Sequence, residues 1–144
     1  MRDYPYSLPR GLEAVSVAQH ELDLERVICR LADLEEHGSR AFTLGEGDWP
    51  LRGFVVRCGS GVRGYLNRCP HAGHPLDLRP HRFLTPDRAM ILCSSHGALF
   101  EKDAGRCLAG PCAGQQLRPL PLQLVGDVVL IAPEADLRAL AAEA

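Results

Sequence analysis

Two short stretches carry the side chains that could do chemistry: Cys69-Pro70-His71 and Cys93-Ser94-Ser95-His96, one Cys-x-His pair and one Cys-x-x-His pair with 21 residues between them. Thiolate sulfur and imidazole nitrogen suit zinc or the irons of an iron–sulfur cluster. Each pair follows a stretch that reads as a strand end. Two strand-end loops can therefore converge like two fingers, each giving one sulfur and one nitrogen to a common site. Pro70, Gly73 and Gly97 supply restricted or unusual backbone angles where short, stiff loops need them. Two other donor arrangements compete. The same four residues could hold a structural zinc, although zinc fingers usually place two cysteines before two histidines. An all-cysteine cluster could use Cys69, Cys93, Cys107 and Cys112, although Gln115 stands where the plant-type spacing needs its next cysteine.

The elements that must position these loops read as short strands. Segments rich in β-formers recur at 26–31, 40–44, 54–58, 62–67, 89–93, 98–101, 120–125 and 128–132. Gly59-Ser60-Gly61, Lys102-Asp103-Ala104-Gly105 and Gly126-Asp127 are turn signals between neighbouring segments. An antiparallel all-β domain is expected. The stretch from Pro70 to Arg88 breaks the pattern and reads as a long, functional connection. Residues 1–25 read as an arm, 26–132 as the domain and 133–144 as a helical tail. Leu137 and Leu140 in that tail make one narrow stripe for the domain or for a partner.

The 144-residue chain has room for one core. With 46% apolar and 24% charged residues it has a globular composition, and a formal charge of −2 argues against nucleic acid as a partner. No apolar run approaches a membrane span. The early arginine is followed by no apolar leader segment and no twin arginine, so a cytoplasmic address and reduced or metal-bound cysteines are expected. The oligomeric state is not set by any of these features.

Around the two pairs the chain reads Asn67-Arg68-Cys69-Pro70-His71 and Cys93-Ser94-Ser95-His96-Gly97-Ala98-Leu99-Phe100, and further on Ala109-Gly110-Pro111-Cys112 precedes Leu117 and Pro119. From roughly Arg26 to Ala132 this resembles the Rieske family. The resemblance implies stacked antiparallel sheets with a cluster-binding subdomain built from two loops, a proline-bearing third loop covering the cluster, and a short C-terminal helix. It implies one [2Fe–2S] cluster, with Cys69 and Cys93 on a buried iron and His71 and His96 on an outer one.

It also implies a one-electron carrier rather than an enzyme: a ferredoxin relaying electrons from a flavin-dependent reductase to a terminal oxygenase or related enzyme. The alternative is a non-catalytic subunit fixed in an oxidoreductase complex, resembling the small subunit of nitrite reductase. Where high-potential members carry a disulfide and a sulfide-bonding serine, this chain has His74, Ser94 and Ala98, which implies a low potential. Cys107 and Cys112 then read as small apolar fillers near the cluster. Cys29 and Cys58 read as core cysteines, His74 and His81 as surface histidines, and Trp49 as the packed start of a strand.

Overall fold

The computed structural model describes residues 23–59, 61–70 and 73–142. Most of the expected N-terminal arm, His71 and the end of the tail therefore lie outside the described residues.

The described strands are β1 (Val27–Arg30), β2 (Ser39–Leu44), β3 (Leu51–Cys58), β4 (Gly61–Leu66), β5 (Met90–Leu92), β6 (Leu99–Glu101), β7 (Cys107–Ala109), β8 (Pro119–Leu120), β9 (Leu122–Val125) and β10 (Val128–Ile131). They form three antiparallel sheets, in the orders β1-β10-β9, β2-β3-β4-β8 and β5-β6-β7. This is the stacked all-β architecture, with a short helix α1 (Leu137–Ala142) after it.

The middle sheet is buried on both faces, which explains why β3 reads as a continuous apolar run rather than an alternating one. Phe54 and Val56 point to one side with Tyr65 of β4, into a core that holds Leu76, Phe83, Ile91, Phe100 and four cysteines. Leu51 and Val55 point to the other side with Val62 and Leu66, against Val129 and Ile131 of β10. Side chains two apart thus divide between two cores, one serving the cluster-loop region and one serving the base.

The long connection after Pro70 is a packed part of the first core. Phe83 stacks on Phe54 with ring centroids 4.2 Å apart and planes 5° from parallel. Burying one such ring is worth about 1.5–3 kcal/mol. Ser39, buried on β2, fastens the same segment: its hydroxyl donates to the His81 carbonyl (2.6 Å) and accepts from the Phe83 N–H (3.2 Å).

Several expectations need correction. His81 is a structural residue, half-buried, with Nδ1 accepting from the Ala41 N–H at 3.1 Å. Trp49 does not pack at a strand start; it is 85% exposed in the bend before β3. Cys29 is a core residue, but Cys58 sits at the hairpin end of β3 and is half-exposed. The segment at 120–125 is two strands, because Pro121 between them has no N–H to continue the ladder. β7 was missed, being three residues of which two are exposed.

The tail helix starts later than Pro133 suggests. The Asp136 carboxylate accepts from the N–H groups of Arg138 and Ala139 (2.9 and 3.3 Å) and caps it. Leu137 and Leu140 pack on the base core, so the stripe belongs to the domain. Among the described residues no helix is long and apolar enough to cross a membrane.

Candidate metal centre

Three turns share one backbone pattern. The Cys69 N–H donates to the His74 carbonyl (2.7 Å) and the Gly73 N–H to the Cys69 carbonyl (2.8 Å). The Cys93 N–H donates to Ala98 (2.9 Å) and the Gly97 N–H to Cys93 (3.0 Å). In the third turn the Glu101 N–H donates to Arg106 and the Gly105 N–H to Glu101, both at 2.9 Å. Every one is a six-residue turn whose fifth position is a glycine with φ of +73°, +74° or +76°. A residue with a Cβ would pay about 1–2 kcal/mol for that left-handed angle. Cys-x-x-x-Gly is therefore as much a part of the two candidate loops as the Cys-x-His and Cys-x-x-His spacings.

The two cysteine loops are tied together by backbone and by one amide side chain. Asn67 at the end of β4 accepts from the Leu76 N–H through Oδ1 (2.8 Å) and donates through Nδ2 to the Asp77 carboxylate (3.0 Å). Leu76 in turn accepts from the Ser94 N–H at 2.9 Å. The first loop, its return segment and the second loop thus form one hydrogen-bonded chain. Sequence reading missed Asn67 and Ser39 as supports. The available signal was a lone Asn two residues before Cys69; Ser39 had none.

At the meeting point the sulfurs lie inside. Cys69 and Cys93 are 2% and 1% exposed. The Cys93 thiol lies beside Cys69 in this interior, and burial first, then that neighbour, holds its pKa above the ordinary thiol value. Two neighbouring sulfurs in a dry pocket could serve one iron as a donor pair. Metal binding there would displace the thiol protons.

His96, the fourth residue of the second loop, is exposed, and so is His74. His71 lies outside the described residues. Cys107 and Cys112 are buried in the same cluster as this pair: burial first, then the neighbouring Cys107 and Cys69, pushes the Cys112 thiol up to about 12. Among the described residues no three His, Cys, Asp or Glu side chains surround a single metal position. The donor set of soft interior sulfurs with a surface imidazole fits a cluster with one sulfur side and one nitrogen side.

Comparisons with known proteins agree with this geometry. The Rieske [2Fe-2S] domain family matches residues 25–136. The ferredoxin of carbazole 1,9a-dioxygenase from Nocardioides aromaticivorans IC177 superposes with a TM-score of 0.58 at 28% identity, over 75% of this chain and 96% of that one. A ferredoxin from Sphingomonas yanoikuyae B1 shares the fold at TM-score 0.54 and 22% identity, over 73% of this chain and 94% of that one. The terminal oxygenase of carbazole 1,9a-dioxygenase from Novosphingobium sp. KA1 shares it at TM-score 0.56 and 23% identity, with 76% of this chain matching 30% of the oxygenase. No curated protein matches the chain by sequence. The chain belongs to the Rieske [2Fe–2S] domain family, and its cofactor is one [2Fe–2S] cluster.

Proposed function

We propose that this chain is a one-electron carrier in which Cys69 and Cys93 hold one iron and His71 and His96 the other, and that it relays electrons from a flavin-dependent reductase to a terminal oxygenase or related enzyme. The observation that carries the reading is the convergence of two identically closed loops whose cysteines are buried in one core cluster while His96 stays at the surface. When bound, a cluster of this kind stores a single electron.

The chain's own residues do the rest. Burial keeps water from the sulfurs of Cys69 and Cys93, Asn67 ties the first loop to its return segment, and Ser39 fastens the connection at His81 and Phe83. His96 keeps the nitrogen side within reach of a docked protein. Ala98 offers a methyl group where a hydroxyl could have donated to cluster sulfur, which favours a potential toward the lower end of about −150 to +300 mV. The partner class is supported by likeness to the dioxygenase ferredoxin. Packing of Leu137 and Leu140 onto the base removes the tail's apolar stripe as a docking element, so a free carrier is favoured over a fixed subunit.

Anaerobically purified protein should be coloured and should give a Rieske-type paramagnetic resonance signal after reduction by dithionite. His96→Ala should lose that signal, whereas Cys58→Ser should keep it. A colourless protein holding one zinc, or an unaltered signal in the His96 variant, would refute the assignment.

A further inference from the structure

Cys107 and Cys112 are not needed by the proposed ligand set, yet they are buried side by side. Cys107 begins β7, and its N–H donates to the Gln115 carbonyl at 2.8 Å. The Gln115 N–H donates back to the Cys112 carbonyl, also at 2.8 Å, so the segment folds over and returns Cys112 to its partner. The Cys112 side chain is buried in the same cluster as Cys107, whose own thiol donates to the Ala109 carbonyl at 3.3 Å. Both residues are thiols in the structure.

The turn between them is pressed onto the second ligand loop. A Cβ at Gly110 would lie 2.9 Å from the Ala98 α-carbon. Its outer residues, Leu108 to Pro111, are exposed, and the bond from the Gly114 N–H to the Cys107 carbonyl is long, at 3.4 Å. This covering turn can therefore open outward without disturbing a strand of the base.

We propose that Cys107 and Cys112 are a disulfide-forming pair, oxidised by a low-molecular-weight disulfide, whose bond locks the covering turn against Ala98. The exchange balances in two steps. When the turn opens, the Cys112 sulfur attacks the small disulfide, giving a mixed disulfide and releasing one small thiol. The Cys107 sulfur then attacks Cys112 and releases the second. The protons of the two protein thiols leave with the two small thiols; the pair loses two electrons and the small disulfide gains them. The pair is thus a two-electron site beside a one-electron cluster, set by the thiol–disulfide balance around the protein.

The test uses the cluster-loaded full chain treated with glutathione disulfide, then denatured, alkylated and mapped by mass spectrometry. The expected result is a Cys107–Cys112 cross-link lacking two hydrogen atoms and reversed by dithiothreitol, with Cys29 still alkylated. Cluster absorbance should be unchanged. Exchange of the 108–114 amides should slow on cross-linking. Cys112→Ser should keep the cluster and leave Cys107 unlinked; if that variant fails to fold, the wild-type map alone decides. Full alkylation of both cysteines after treatment, or glutathione retained on either, overturns the proposal. Loss of the resonance signal in a folded Cys112→Ser protein would instead make Cys112 a ligand and overturn both this proposal and the ligand assignment.

Discussion

The turn at 93–98 and the turn at 101–106 have the same backbone, closed by the same two hydrogen bonds around a left-handed glycine, yet only the first bears a cysteine and a histidine. The difference lies in surroundings. A Cβ at Gly105 would lie 2.7 Å from the Tyr65 ring and 3.2 Å from Leu117, whereas nothing lies within 4 Å of one at Gly97. The 101–106 turn is used as packing, and the Tyr65 hydroxyl donates to its Lys102 carbonyl at 2.7 Å. The 93–98 turn keeps its cysteine in the core and its middle open to solvent. One local fold thus does two jobs, and burial of its side chains decides which.

Substitutions can break or sharpen that contrast. Gly105→Ala combines left-handed strain with overpacking against a ring, so a loss of about 2–5 kcal/mol in chemical denaturation is expected, with the cluster retained per folded molecule. Asn67→Ala leaves the buried Leu76 without a partner for its N–H and should cost about 1–3 kcal/mol, visible as faster cluster loss and faster exchange of the loop amides than of β9 and β10. Gly97→Ala meets no neighbour and should cost only about 1–2 kcal/mol of stability, its main effect being faster loss of cluster absorbance. Equal losses of stability and of cluster in the two glycine variants would mean that the two turns do not differ in role.

How the sequence announces each feature follows from how local its cause is. The hairpin at Gly59 to Gly61 and the turn at Gly126-Asp127 are announced by residues that act within a few positions, and the strands they join appear where expected. Ser39, His81 and Phe83 gave no such sign. Their roles depend on a connection folding back over β2 and β3, a contact across some forty residues of chain. Trp49 differs in the opposite direction: beside Pro50 and Leu51 it reads as a packed strand entry, but its side chain is 85% exposed in the bend before β3.

From the sequence alone came the donor types, their spacing, the family and the antiparallel strand pattern, because each rests on chemistry or backbone preference carried by neighbouring residues. Only the tertiary structure decided that β3 serves two cores, that Cys107 and Cys112 are buried beside the Cys69 and Cys93 pair, and that the tail helix closes on the base. Those are outcomes of which surfaces exclude water together, and that is settled by the packing of segments distant in the chain rather than by any one segment.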